Sequence, residues 1–303
     1  MGAGVRGTAC VLSCIYRLRA QLHSCMQASA LAFYSLVFFA LAAVTWLVTQ
    51  PLWKRWHRSR LRAKVFPPAW RGVLRRRVPL YARLPADLQL RLRQDMLVFL
   101  AEKPFLGCAG LQVTEEMRVV VAAFACLLLL GATRDYYPEL QRVLLYPSAF
   151  VAQHQQVGND GVHSQAARVL AGQSWAQGQV LLSWSEVLQD AQDPDSGSNV
   201  VVHEFAHQLD QSKGYANGAP PLKNRQAYYS WSAVMQAEFD ALRHRLEAGE
   251  SGLIGAYAAT DPAEFFAVCC ELFFERGAEL AQQHPKLFEE LRIYYRINPL
   301  NWS

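Results

Sequence analysis

The chain has 303 residues, of which 52% are hydrophobic and 18% charged; this length allows one large domain or two smaller ones, and the composition excludes a disordered or collagen-like chain. The net charge of +5 averages two unlike parts: residues 1–86 hold 14 Lys or Arg and no acid, whereas residues 87–303 hold the other 16 basic residues and all 25 acidic ones. A body of net −9 argues against nucleic-acid binding through its overall charge, and seven cysteines in this length do not make a disulfide scaffold.

The first predicted element is an apolar helix. Residues Ala28 to Thr49 form an uncharged run of 22 residues with Trp46 near its end. About 20 apolar residues span a bilayer as a helix, and an aromatic belongs at the interface. Arg6, Arg17 and Arg19 precede the run, and Lys54, Arg55, Arg58, Arg60, Arg62 and Lys64 follow it. The excess of positive charge on the C-terminal side places that side in the cytoplasm. The segment therefore reads as a single membrane anchor that tethers a cytoplasmic body to the inner membrane. A cleaved signal peptide has a shorter apolar run, and a buried soluble helix is the competing assignment. Cys10, Cys14 and Cys25 sit just before the anchor, as sites of lipidation or as incidental residues.

Pro67 and Pro68 separate a basic N-terminal arm, residues 1–66 with the membrane helix at 28–49, from a body at 67–303. Arg71, Arg75, Arg76 and Arg77 continue the basic stretch, either resting on anionic lipid or as a solvated charge run. Leu88, Leu92, Met96 and Phe99 recur at helical spacing, so a helix is expected from Pro85 to Lys103. Val119 to Leu130 is too short to span a membrane and reads as a buried helix. Val143 to Pro147 and Val180 to Trp184 read as strands, the second either an edge for pairing with an extended peptide or a plain core strand. Gly158 to Gly161 and Asp193 to Gly197 read as loops. From Asn199 the pattern is helical again, interrupted by a loop from Gly214 to Pro221. The expected architecture is α+β, with a small sheet between groups of helices. Cys108, Cys126, Cys269 and Cys270 lie in apolar surroundings and are expected to be reduced core residues.

Chemistry concentrates at residues 200–210, VVVHEFAHQLD. His203 and His207 stand four residues apart, so on a helix they share one face. That spacing lets both imidazoles reach one zinc ion, while Glu204 can take a proton from water activated there. A catalytic zinc site takes three protein ligands, and the motif offers no third histidine downstream. Glu264 is the best candidate: Thr260 or Asp261 caps a helix with Pro262 in its first turn, and Glu264 follows among apolar residues. Glu271, seven residues on, is the rival, and Glu275 a weaker one. Asp210 either orients a ligand histidine or ends the helix on a solvated face. His154, His163, His244 and His284 lack companions at ligand spacing and are expected at the surface.

Three segments, HEFAHQLD at 203–210, LAGQSWAQGQVLLSW at 170–184 and AYAATDPAEFFAV at 256–268, resemble the Mlc titration factor A family of bacterial zinc peptidases. The similarity runs from about Leu84 to Pro299. It implies a zincin-like metallopeptidase fold with a gluzincin-type site, related in its catalytic domain to anthrax lethal factor. It implies one zinc ion held by His203, His207 and Glu264, with Glu204 as general base and Tyr257 near the metal as a donor to the developing oxyanion. It further implies a peptide or protein substrate for an aminopeptidase or endopeptidase. As the alternative function, it implies the binding and sequestration of a transcriptional repressor of the Mlc type. The N-terminal anchor departs from the family members that begin near the start of the body.

Overall fold

A computed structural model describes residues 5–131, 135–148, 174–175, 178–213 and 216–302, with side chains at 33–131, 135–148, 178–212 and 216–302. The chain divides into two compact units, Met1–Arg60 and Leu61–Ser303. The Gly158–Gly161 loop, His154, His163, and the side chains of Cys10, Cys14 and Cys25 lie outside the described residues.

From Val5 onward the first unit is part of a single long helix, α1 (Val5–Arg62). Its stretch from Phe33 to Arg62 is long and apolar enough to cross a membrane, and the most apolar part of it is not buried. Polar side chains in that stretch are satisfied within the helix: Thr45 Oγ1 donates to the Leu41 carbonyl and Thr49 Oγ1 to the Thr45 carbonyl, both at 2.7 Å. A helix in hydrocarbon needs such internal pairing, because no water is there to replace it. Toward the basic end the Arg60 guanidinium lies 4.6 Å over the Trp56 ring.

The second unit opens with three helices, α2 (Pro68–Arg77), α3 (Pro79–Arg83) and α4 (Ala86–Glu102). The basic stretch at 71–77 is thus a helix that buries Val73 and Leu74, and Arg77 donates to Glu116 at 2.8 Å. A short strand β1 (Phe105–Gly107) leads to α5 (Glu115–Leu127), capped by Thr114. Every side chain of Val119–Leu130 is buried. This helix packs against α2 and α4, as its uninterrupted apolar run requires.

Strands β2 (Arg142–Tyr146), β3 (Ser174–Trp175) and β4 (Gln179–Ser183) complete a small sheet in the order β1-β2-β4-β3. β1, β2 and β4 run parallel, with Phe105 opposite Val143 and Val143 opposite Val180; β3 pairs antiparallel to β4. β4 therefore has neighbours on both sides and is not the sheet edge. It also ends at Ser183, because Trp184 opens α6 (Trp184–Gln192). The remaining helices are α7 (Val200–Asp210), α8 (Arg225–Glu247), α9 (Pro262–Glu275), α10 (Gly277–Gln283) and α11 (Pro285–Tyr295). Helices dominate around one small sheet, in keeping with the α+β expectation.

The buried face of α7 is fixed from below by an aromatic cluster. Tyr137 packs 4.8 Å from Phe205, and Phe99 packs 5.7 Å from the same ring. Tyr136 and Tyr137 both have positive φ, at 52° and 53°, a conformation that costs non-glycine residues energy. Buried polar groups hold it in place. Tyr136 Oη donates to Asp95 at 2.6 Å, Tyr137 Oη donates to the Ala125 carbonyl at 2.5 Å, and Lys103 Nζ donates to the carbonyls of Tyr137 and Leu140 at 2.6 and 2.7 Å. Arg62 lies 3.4 Å from the same Asp95, and Leu61 and Phe66 are in the core.

Cys126, Cys269 and Cys270 are free and buried as expected, and Cys108 is half-buried. His284 is not a surface residue: it is buried, and its Nδ1 lies 2.7 Å from Glu238. His244 is exposed.

Candidate metal centre

α7 begins with three valines, which favour helices poorly because their branched side chains are stiff against the preceding turn. Its first turn is held instead by polar groups that meet its unpaired N–H groups. Asn199 caps it, accepting from Val202 N at 3.1 Å. Asp190 accepts from Val200 N at 2.8 Å, and Glu271 accepts from Asn199 N at 2.5 Å. Glu275 accepts from the Asn199 side chain at 2.9 Å and from Gly197 N at 3.1 Å. Carboxylates suit a helix N-terminus, where the aligned peptide dipoles leave partial positive charge.

The far end of α7 is tied to α9. Asp210 is buried, and its two oxygens accept from Gly218 N at 2.7 Å and Ala219 N at 3.0 Å. It therefore does not end the helix on a solvated face; it holds the loop after α7. Gly218 has φ of +78°, and a Cβ there would stand 2.4 Å from the Pro262 carbonyl, so only glycine lets this loop touch the start of α9. Asp261 caps α9, accepting from Ala263 N at 2.8 Å and Glu264 N at 3.0 Å, with Pro262 in the first turn. The caps predicted from sequence thus place Glu264 in the first turn of α9, facing α7.

Three donor atoms converge there. His203 Nε2 and His207 Nε2 are 3.2 Å apart, and Glu264 Oε2 lies 3.0 Å from the first and 3.5 Å from the second. Ligand atoms about 2.0–2.1 Å from a tetrahedral zinc ion are separated by roughly 3.3–3.4 Å, so the spacing fits a zinc ion among them. Among the described residues, His203, His207 and Glu264 form the group of His, Cys or acidic side chains able to hold a metal. Glu204 is buried on the same helix. Tyr257 is exposed, with its ring 5.9 Å from that of His203.

Glu271, the rival for third ligand, is on the other side of His203. Its Oε1 is 2.7 Å from His203 Nδ1, so it meets the nitrogen that faces away from Glu264. Glu275 is farther along α9, bonded to Asn199, Ser196 and Gly197. The sequence marked all three acids as candidates because they interrupt an apolar helix. It did not show that Asp190, Glu271 and Glu275 meet at one helix terminus, since the loop that brings α6 to this point has no spacing signal.

The charges in the cluster are strongly coupled. Burial lowers the affinity of His203 for a proton, but hydrogen bonds to Glu264 and Glu271, with the charges of Glu271 and Glu204, overcome this and hold it at about 10. Burial alone would raise Glu264, yet the hydrogen bonds to His203 and His207 hold its carboxyl well below the usual carboxylate range. Without a metal, the carboxylates around His203 hold a proton on it, as they would favour a cation there.

A pH effect on stability follows from the α7 N-terminus. Burial raises Glu275 from 4.5 to about 8, against the lowering effect of its bonds to Asn199 and Ser196, and Glu271 and Asp190 add repulsion. The folded protein thus binds this proton more tightly than the unfolded chain does. The resulting stabilisation is full below pH 4.5 and is lost as pH rises through about 8. Across that interval Glu275→Gln is expected to remove a downward slope of up to about 1.4 kcal/mol per pH unit from the unfolding free energy. Urea denaturation of metal-free protein at several pH values measures it, and identical slopes in both proteins would refute the assignment.

A family model described as the glucose-regulated metallo-peptidase M90 matches residues 53–296. The chain belongs to this family. Its match starts inside α1, beyond the segment Ala28–Thr49. An uncharacterized protein of Synechocystis sp. is 38% identical over 261 residues, 86% of this chain and 95% of its own length. Mlc titration factor A of Klebsiella pneumoniae is 35% identical over 226 residues, 74% of this chain and 84% of its own. The protein of that name from Cronobacter sakazakii is 33% identical over 251 residues, covering 82% and 91%. The family resemblance carried by HEFAHQLD and the two other segments is therefore shown, and the body is a metallopeptidase-type domain.

Proposed function

We propose that the protein is a zinc-dependent peptidase of the gluzincin type, with a zincin-like catalytic body tethered by α1 to the cytoplasmic face of the inner membrane. The observation that carries this reading is the convergence of His203 Nε2, His207 Nε2 and Glu264 Oε2 within 3.5 Å of one another, beside Glu204 on the same helix. One zinc ion would be held by those three atoms. Bound there, zinc would supply the positive charge that makes water acidic near neutral pH and polarises a scissile carbonyl.

The chain's own residues supply the rest. Glu204, adjacent to His203 and buried, takes the proton of the attacking water and returns it to the leaving amine as the C–N bond breaks. The hydroxyl of Tyr257, an exposed residue whose ring lies 5.9 Å from that of His203, donates to the carbonyl oxygen as negative charge develops on it. The packing of Phe205 on Tyr137 and Phe99 keeps α7 from shifting under these groups. The proposed division puts the basic arm and membrane helix before the catalytic body. A cut placed before Leu61 rather than at Pro67 keeps Leu61, Arg62 and Phe66 with the core they enter. The six basic residues after Ala28–Thr49 orient the body toward the cytoplasm.

The test is hydrolysis of a mixed peptide library by the full chain in detergent. Cleavage is expected to stop when a chelator removes the metal and to return with added zinc. Cleavage indifferent to chelator would overturn the reading. Products trimmed one residue at a time from the N-terminus would make the enzyme an aminopeptidase, and internal cuts an endopeptidase.

A second reading rests on the name of the relatives, Mlc titration factor A. In it, the body binds and sequesters a transcriptional repressor of that type, and makes no direct contact with nucleic acid. The two readings separate in a variant that cannot hydrolyse but keeps its surface.

A further inference from the structure

We infer that Glu271 is a positioning residue for the metal centre: it clamps His203 through Nδ1 and thereby fixes which ring nitrogen faces the ion. The inference rests on the zinc reading above and deepens it.

The imidazole of His203 lies between two carboxylates of one helix. Glu264 Oε2 is 3.0 Å from Nε2, and Glu271 Oε1 is 2.7 Å from Nδ1. The two acids are seven residues apart on α9, about two turns, so they lie on one stripe of the helix. A carboxylate oxygen accepts hydrogen bonds, so Nδ1 carries the hydrogen and donates it to Glu271. Nε2 faces Glu264 Oε2 and is protonated as well in the metal-free protein; when that proton leaves, Glu271 keeps the other on Nδ1 and the lone pair is on Nε2, aimed at His207 and Glu264. A neutral histidine has two tautomers, and only this one can ligate from Nε2.

Glu271 is itself held. Its second oxygen accepts from Asn199 N at 2.5 Å, and the residue is buried. Asn199 is the cap of α7 and lies four residues before His203. One carboxylate therefore bonds both the backbone at the start of α7 and the side chain one turn along it, so the ring cannot swing without breaking a bond anchored to its own helix. Among the described residues His207 has no such clamp: Asp210, three residues on, spends its oxygens on Gly218 and Ala219. The geometry makes His203 the preset ligand.

The experiment is a zinc titration of the full chain in detergent against a competing chelator, for wild type, Glu271→Gln and Glu275→Gln, with the cobalt(II) absorption spectrum of each as a second readout. Glu275→Gln disturbs the same helix terminus through Asn199 but does not touch His203. Glu271→Gln is expected to weaken zinc binding by about 10–100-fold, the usual cost of losing a carboxylate behind a ligand histidine, and to change the cobalt spectrum. Glu275→Gln is expected to leave both unchanged. Wild-type affinity and spectrum in Glu271→Gln, or equal losses in the two variants, would overturn the positioning role and leave Glu271 a cap of α7. If the wild type binds no zinc, the metal reading fails, an outcome distinct from the failure of the clamp. Should Glu271→Gln not fold, Glu271→Asp keeps the charge but shortens the reach, and the same weakening is expected of it.

Discussion

Glu204→Gln is expected to lower peptide hydrolysis by about 10²–10⁴-fold, the range for loss of a general base, while zinc stays bound. The substitution exchanges an oxygen for an amide nitrogen at nearly constant volume, so a buried position on α7 is neither emptied nor overfilled. His203, His207 and Glu264 keep their places, because none of their described contacts to one another passes through Glu204. What disappears is a group able to accept a proton from water and give it to the leaving amine. The loss should therefore fall on kcat, with KM little altered, as for an interaction made only in the transition state. Elemental analysis for zinc beside steady-state kinetics measures both. Full activity in Glu204→Gln would remove the residue from the mechanism. The same variant decides the repressor-binding reading, since capture of a partner by the surface should survive the change.

The residues that carry this chemistry were legible in the sequence because they obey local rules. Two histidines four apart must share a helix face. Asp261 followed by Pro262 marks a helix start, and the acid two residues later must lie in its first turn. The buried run at 119–130, helical as far as Leu127, was legible for a similar reason, since an uncharged run too short for a membrane has nowhere else to go. The tertiary relations were not legible. Glu264 and Glu271 have the same character in sequence, and only the side of the His203 ring that each reaches separates a ligand from a clamp. The run of arginines at 71–77 hid a core helix, because just Val73 and Leu74 are buried while charge dominates its composition. Strand β4 read correctly as a strand, but its neighbours are chosen by long-range pairing, so its interior position could not be foreseen. Likewise nothing near His284 in sequence announces Glu238, which comes from another helix.

Glu264→Ala is expected to weaken zinc binding by more than the about 100-fold that loss of an outer hydrogen bond costs, because it removes a ligand. The two histidines would remain as a chelating pair on α7, but with two nitrogen donors and no charge of their own to balance the ion. The effect should also appear in stability. A ligand at about 100 times its dissociation constant stabilises the folded state by about 2.7 kcal/mol. Zinc at that excess over the wild-type constant should therefore raise the wild-type unfolding free energy by this amount and leave Glu264→Ala almost unchanged. The metal-free proteins should differ in the same sense in their affinity for a proton at His203. Its attraction for a proton depends on Glu264 as well as Glu271, so the variant should titrate this histidine below the wild-type value of about 10. Imidazole resonances followed by NMR across pH would report that shift. Retention of zinc at wild-type affinity in Glu264→Ala would show that another group completes the site. Glu271 could do so only by leaving Asn199 N and crossing to the Nε2 side of the ring, so its bond to the cap of α7 is what keeps the two acids from exchanging roles.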